Sequence, residues 1–106
     1  MSKKMQLWLL FRAHVLGDLD ALHNIAAYYA YEVCEHRLAH KYLIKAFRYY
    51  RYGAERGNPG CQYDYGFMLI VGDAGIKDEE LGLSWIKKAA DADYPSARKF
   101  LAEYST

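Results

Sequence analysis

The residues with the best spacing for metal chemistry lie near the middle of the chain. Glu32, His36 and His40 follow one another at intervals of four residues, with Cys34 and Glu35 beside them. On a helix this spacing places one carboxylate and two imidazoles on the same face, and all three groups are common zinc ligands. Any two histidines four residues apart share this geometry, so a solvated polar face is the default interpretation. We expect no cofactor, and a small metal-dependent enzyme built on His36 and His40 is kept as an alternative.

A second stretch has the composition of a nucleic-acid surface. Residues 41–56, KYLIKAFRYYRYGAER, mix five basic side chains with five aromatic ones, which could stack on bases and neutralise phosphates. The whole chain, however, carries fourteen Lys and Arg against thirteen Asp and Glu, a net charge of +1. Such a balance gives no large field for binding that depends on counterion release. We therefore expect no nucleic-acid partner.

The sequence contains no motif for nucleophilic catalysis or phosphate binding. No glycine-rich loop follows a predicted strand, and no Ser or Cys stands in a nucleophile elbow. Cys34 and Cys61 are too few to form a disulfide framework, so both are predicted to be reduced thiols of a cytoplasmic protein. These observations predict that the chain is not an enzyme.

The elements that carry these residues are predicted to be helices. Apolar residues recur at spacings of three and four along every long segment, and no stretch alternates for long enough to form a strand. Glycine and proline clusters separate the segments. The helices are predicted at about 3–16, 18–32, 36–56, 59–71, 78–91 and 95–104. No apolar run approaches the ~20 residues needed to span a bilayer, so no membrane association is expected.

The chain also repeats itself at intervals of 36 and 40 residues. Small residues align with small ones and aromatic residues with aromatic ones, as in Ala46 with Gly82, Tyr49 with Trp85, Gly53 with Ala89, Ala54 with Ala90 and Cys61 with Ala97. Self-similarity at such a period is typical of solenoids built from helical hairpins. Small residues such as Gly66 are predicted to let the two helices of a hairpin approach closely, while Tyr49 and Trp85 fill the space between hairpins.

This spacing resembles the Sel-one-like repeat family, a branch of the tetratricopeptide-like α/α solenoids. The best match consists of Cys61, Tyr65, Gly66, Leu69, Gly72, Gly75, Ile76, Asp78, Trp85, Lys88, Ala89 and Ala90. The resemblance implies an all-α, right-handed superhelical solenoid of about six helices in a single domain. It comprises two full repeats, 18–56 and 59–91, flanked by half units at 3–16 and 95–104. The first repeat departs from the family pattern in its middle, where four extra residues replace the glycine-rich turn.

The resemblance further implies a concave inner face lined by the first helix of each hairpin. The residues predicted to bind a partner on this face are His23, Tyr31, Tyr63, Phe67, Ile70 and Lys99. Eleven tyrosines exceed what the repeat needs, and tyrosine supplies a large contact area at a small entropic cost. The alternative is that several of these aromatic residues only fill space between helices.

These expectations together predict a non-catalytic module that binds another protein. A stack of barely two and a half units offers little groove for an extended peptide, so a single dedicated partner or a homodimer suits it better. The partner could be a signalling protein that the chain regulates as an adaptor. The specific alternative is a bacterial immunity protein that binds and neutralises a cognate toxin domain, an analogy that depends on size and fold alone.

Overall fold

The computed structural model describes residues 3–18, 20, 21, 23, 24, 36–72 and 74–104 of the 106-residue chain. Within these ranges the backbone is helical and contains no strand, which confirms the all-α prediction. The helices are α1 (Lys3–His14), α2 (His36–Glu55), α3 (Pro59–Val71), α4 (Glu79–Asp91) and α5 (Pro95–Tyr104).

Six helices were predicted, whereas the described residues form five. The difference lies in the segment 18–32. Its backbone is helical at Asp20, Ala21, His23 and Asn24 but not at Asp18, and residues 19, 22 and 25–32 fall outside the described residues. The other boundaries agree with the predictions to within two residues.

The ends of α3 are set by local side-chain chemistry. Asn58 adopts an extended backbone, with φ −76° and ψ 114°, and its Oδ1 accepts a hydrogen bond from the backbone N–H of Cys61 at 3.0 Å. Pro59 follows at the first helical position, where no N–H is needed. Gly72 ends the helix in the left-handed region at φ 78°, a conformation that disfavours residues with a Cβ atom. The predicted start and stop signals of this helix are confirmed.

The start of α4 shows why the predicted boundary was one residue early. Asp78 is the N-cap: its backbone is extended, with φ −148° and ψ 93°, and Oδ1 accepts from the N–H of Leu81 at 3.0 Å. The helix itself therefore begins at Glu79. Glu79 and Glu80 occupy the first turn, where carboxylates interact favourably with the positive end of the helix dipole.

Each described helix from α2 onward packs mainly against its neighbour in sequence. The extensive contacts join α2 to α3, α3 to α4, and α4 to α5. The larger hydrophobic cluster lies between α2 and α3 and comprises Ala46, Phe47, Tyr50, Ala54, Cys61, Tyr65, Met68, Leu69 and Ala74. Tyr49 and Trp85 are partly buried against this cluster, which agrees with the packing role predicted for them.

A close backbone contact joins α3 to α4 through two glycines. A Cβ atom built on Gly66 would lie 2.6 Å from the backbone oxygen of Gly82 and 2.8 Å from Cγ1 of Ile86. A Cβ atom on Gly82 would lie 2.6 Å from the backbone oxygen of Gly66 and 2.7 Å from Cγ1 of Ile70. Carbon atoms do not approach oxygen this closely, so the two helix backbones touch only because both positions lack a side chain.

We predict that Gly66→Ala lowers the free energy of unfolding by about 2 kcal/mol or more. The added methyl group must push against the backbone of α4, and this overpacking outweighs the higher helix propensity of alanine. The measurement is the midpoint of urea or thermal unfolding, followed by circular dichroism.

Gly60→Ala is the matched control, because it adds the same methyl group to the same helix. There a Cβ atom would meet Oδ1 of Asn58 at 3.3 Å and Cε1 of His23 at 3.5 Å, which are near ordinary contact distances. We expect its stability to stay within about 1 kcal/mol of the natural chain. Equal effects of the two substitutions would contradict the close helix contact.

Candidate partner-binding face

One side of α3 carries aromatic and acidic side chains that lie outside the larger hydrophobic cluster. Tyr63, Asp64, Phe67 and Val71, which we name the α3 face, recur at the spacing of three and four residues that aligns them along one side of a helix. Phe67 and Val71 are exposed to 39% and 50% of their surface. The core residues of the same helix, which include Tyr65, Met68 and Leu69, lie at the intervening positions.

Rings from α5 and from the turn before it surround the aromatic residues of the α3 face. The ring centroid of Phe100 lies 6.3 Å from that of Tyr63 and 6.1 Å from that of Phe67, with the rings nearly perpendicular in both pairs. The ring of Tyr94 lies 5.7 Å from Tyr63, and that of Tyr104 stacks at 5.4 Å on Phe100. Such edge-to-face and stacked pairs stabilise the cluster beyond simple area burial.

A cleft of about 310 Å³ opens beside this cluster. Its lining combines two aromatic rings with polar and charged groups, contributed by Tyr63, Ser96, Lys99, Phe100 and Glu103. Lys99 and Glu103 lie one turn apart on the exposed side of α5. The cleft therefore combines two aromatic rings with charges of both signs.

The opposite edge of the α3 face contacts His23, which lies among the helical residues Asp20, Ala21, His23 and Asn24. Nδ1 of His23 lies 3.4 Å from Oδ2 of Asp64 and 3.8 Å from Sγ of Cys61. The imidazole ring also lies 5.7 Å from the ring of Tyr50. His23 thus connects the segment before α2 to the first two turns of α3.

Burial controls the protonation of this polar contact. Desolvation raises the pKa of Asp64 to about 6 and lowers that of His23, and for His23 the nearby Asp20 carboxylate opposes the shift. At neutral pH the pair is therefore mainly a carboxylate next to a neutral imidazole. A neutral imidazole with its proton on Nδ1 can donate a hydrogen bond to the carboxylate, so the contact does not need a full ion pair.

The carboxylate of Asp64 also acts on the aromatic residues beside it. Burial, and after it the charge of Asp64, raises the pKa of Tyr63 and of Tyr94. Both hydroxyl groups consequently remain protonated across the physiological range and can donate hydrogen bonds. The α3 face combines large apolar rings with polar donors at their edges.

Cys61, His23 and Asp64 have the residue types of a thiol-based catalytic triad, but the arrangement cannot perform that chemistry. The side chain of Cys61 is fully buried, and desolvation raises its pKa to about 12. The thiolate is the reactive nucleophile, and it is not formed at neutral pH under these conditions. Cys61 is a free thiol in the described structure.

The structure brings together three of the six predicted partner-binding residues. Tyr63, Phe67 and Lys99 border the same aromatic cluster and cleft. Ile70 is partly buried and packs on the small cluster of Ile86, Ala89 and Ala97, as Tyr63 and Phe100 also do. His23 lies at the far edge, held by its contact with Asp64.

The remaining predicted residues lie beyond what the structure describes. Tyr31 and Glu32 are outside the described residues; His36 and His40 belong to α2, but their side chains are not described. Among the described part of the chain, no group of three or more His, Cys, Asp or Glu side chains is arranged to hold a metal.

Two residues of the site were missed by the sequence reasoning. Asp64 continues the three-and-four spacing that links Tyr63 with Phe67, so that periodicity was a usable signal. Phe100 is different, because its position next to the α3 face depends on the angle at which α5 returns along α3.

No protein-family model matches this sequence, and no curated protein is similar enough to it to count as a relative. The resemblance to Sel-one-like repeats therefore depends on the spacing of residues in this chain alone. Within the described ranges, no helix combines the length and apolar character that crossing a bilayer requires.

We predict that Asp64→Asn stabilises the fold at pH 8 by about 2 kcal/mol and has little effect below pH 4. Because the folded-state pKa of Asp64 is raised from 3.8 to about 6, the folded chain binds more protons than the unfolded chain between these values. The contribution of Asp64 to the free energy of unfolding therefore falls as the pH rises from 3.8 to about 6 and above. The uncharged side chain of the Asp64→Asn variant avoids this loss. Unfolding curves of both chains at pH 4, 6 and 8 measure the difference.

The natural chain and the Asp64→Asn variant are compared at the same pH because the titration of His23 changes stability in the opposite direction to that of Asp64. The pKa of His23 is lowered in the folded state, so its contribution to stability is lost as the pH falls below 6.5 in both chains. Asp91→Asn, at the exposed C-terminal end of α4, is the control, and as a surface substitution it should change stability by no more than about 0.5 kcal/mol at pH 8. A constant effect of Asp64→Asn would contradict the burial of its charge.

Proposed function

We propose that this chain is a non-catalytic module that binds one polypeptide partner through the α3 face and the adjoining cleft of α5. The observation that carries the proposal is the position of Phe67. This ring is 39% exposed although it lies within a cluster of aromatic residues that could have buried it. Tyr104, which stacks on Phe100, is 44% exposed, so the exposed rings form one aromatic patch rather than a single exposed side chain, and such patches mark interaction sites.

The composition of the surface supports a protein partner. Stable interfaces have an apolar, aromatic centre and a polar rim, and their binding energy is concentrated in a few aromatic or arginine residues. Here Tyr63, Phe67 and Phe100 supply the centre, while Lys99 and Glu103 supply charges of opposite sign at the rim. A cleft of about 310 Å³ accepts one or two side chains of a partner rather than a long peptide.

The proposal includes the Sel-one-like solenoid as the fold that builds this face. Three features support it: helices from α2 onward pack against their sequence neighbours, α3 and α4 touch through paired glycines, and the predicted caps of α3 and α4 are present. In that arrangement residues 18–24, α3 and α5 would line one concave side of a right-handed superhelix. The repeats 18–56 and 59–91 and the half units 3–16 and 95–104 belong to the same proposal.

The site of action we propose is the cytoplasm, consistent with two cysteines predicted to be reduced. An immunity protein that masks a toxin domain is one form of this proposal, and a regulatory adaptor is another. Both require the same face to be accessible, and they differ in the identity of the partner.

We predict that Phe67→Ala and Lys99→Glu each reduce capture of the partner by tenfold or more while leaving thermal unfolding within a few degrees. Phe67 is an exposed aromatic at the centre of the face, and truncation of such a residue typically costs more than 1 kcal/mol of binding free energy. Lys99 tests the rim by charge reversal. The measurement is affinity purification from the native cells, with the captured proteins quantified by mass spectrometry.

The two control variants carry the same kinds of substitution, an apolar residue to alanine and a lysine to glutamate, at exposed positions of α4. Leu81→Ala removes an apolar side chain that is 42% exposed, and Lys87→Glu reverses an exposed charge. Proteins that are lost with the α3 and α5 variants and retained with both controls are the specific partners. Equal capture by all four variants would refute the proposed face.

A further inference from the structure

Helix α1 carries an apolar surface that is open to solvent. Trp8 and Phe11 are exposed to 52% and 45% of their surface, and their rings stack with centroids 5.7 Å apart. The extensive contacts between described helices join α2 to α5 and do not include α1. We propose that α1 lies on the surface of an anionic membrane, with these two rings at the level of the acyl chains and Lys3 and Lys4 at the lipid headgroups.

The exposed apolar side chains of α1 share one side of the helix. Leu7, Phe11 and Val15 recur at intervals of four residues, and Trp8 lies beside them. Val15 follows the helix, but its N–H still donates to the backbone oxygen of Phe11 at 2.8 Å and so keeps the helical direction. Leu9 is buried and lies about 200° around the helix from Phe11. The chain itself thus covers one side of α1, and the opposite side is apolar and exposed.

The charge of α1 favours an anionic surface. The helix contains Lys3, Lys4 and Arg12 and no acidic residue. Arg12 forms an ion pair with Asp18, and both lysines are exposed. Lys4 precedes Leu7 by three residues and therefore lies on the apolar side itself. Eleven basic residues and all thirteen acidic ones lie outside α1, so positive charge is concentrated at this surface, as in helices that bind anionic lipid.

A second copy of the chain matches this surface less well. Pairing two α1 helices through their apolar sides would bury Lys4 against a helix that has no carboxylate to pair with it. The four exposed apolar side chains, each about half exposed, offer roughly 400 Å², whereas each partner in a standard interface contributes about 800 Å². A bilayer surface requires no matching shape, and aromatic rings bind favourably at the level of its headgroups.

The length of α1 suits a position along the membrane surface. Its 12 residues extend about 18 Å, which is too short for the ~30 Å hydrocarbon core of a bilayer. The sequence-based expectation of no membrane association follows from the absence of a long apolar run, which excludes only a crossing helix. Two rings and two cations give reversible binding that depends on anionic lipid, and such lipid is typical of the cytoplasmic leaflet.

The test is co-sedimentation of the full chain with vesicles of phosphatidylcholine alone or with about 30% phosphatidylserine, at about 50 mM and about 500 mM salt. We expect the ratio of bound to free protein on the anionic vesicles at low salt to exceed that in every other condition tenfold or more. Equal binding to both lipids, or no binding of the folded chain, would overturn the proposal. Absence of binding together with a dimer that Phe11→Ser dissociates would assign the surface to a second copy.

Tryptophan fluorescence locates the contact on the chain. Trp8 and Trp85 are the two tryptophans, so Trp8→Phe removes the one on α1 and keeps an aromatic ring there. Lipid brominated in its acyl chains should quench the emission of the natural chain on anionic vesicles and leave that of Trp8→Phe unchanged. Quenching that persists in Trp8→Phe would place α4 at the membrane and refute the assignment to α1.

Variants connect the binding to the named residues. Phe11→Ser and Lys4→Glu should each weaken binding to anionic vesicles fivefold or more, with unfolding midpoints measured in parallel. Ile76→Ser and Lys87→Glu are the matched controls, because they change an exposed apolar residue and an exposed lysine outside α1, and they should leave binding within twofold. Phe67→Ala should also leave it unchanged, which separates this surface from the partner-binding face. Equal losses in Lys4→Glu and Lys87→Glu would refute the role of α1.

Discussion

The contact between Gly66 and Gly82 determines what the rest of the α3–α4–α5 region can do. Each residue of an α-helix is rotated by about 100° from the one before it, so fixing the direction of Gly66 fixes every other direction on α3. With Gly66 against α4, Tyr65 and Leu69 are turned toward α2, and Tyr63 and Phe67 are turned to the other side, where α5 lies. One close backbone contact thus separates the core of α3 from its candidate binding surface.

The two sides of α3 also differ in how their polar groups are stabilised. On the core side, the N-cap Asn58 and the amide of Gln62 form hydrogen bonds to the backbone, so their burial is compensated. On the other side, Asp64 is ionised at neutral pH against the cost of desolvation. A residue that opposes folding in this way is typical of functional surfaces, where local stability is exchanged for binding.

The sequence was most informative where structure depends on neighbouring residues. The caps at Asn58 and Gly72 follow from local side-chain chemistry, and the close approach at Gly66 follows from the repeat; both were predictable. The sequence pattern also predicts one surface that contains Tyr63, Phe67 and Lys99, and these residues border the same aromatic cluster and cleft.

The sequence was least informative where two helices meet at an angle. The tetratricopeptide-like pattern places Ile70 on the predicted binding surface, and it contains no information on how deeply a neighbouring helix covers that position. The close approach of α4 turns this residue inward, against the cluster of Ile86, Ala89 and Ala97. The pairing of His23 with Asp64 and the position of Phe100 depend on packing angles that a one-dimensional pattern does not contain.

The pairing of each helix with the next has a consequence for how the chain reaches its native state. Contacts between sequence neighbours give a low contact order, and such chains fold rapidly because little loop-closure entropy must be lost before native contacts form. We expect the hairpin of α3 and α4, which the glycine contact joins, to form first. Helices on either side can then add one at a time, so sequence changes near the ends of the chain need not disturb how its centre assembles.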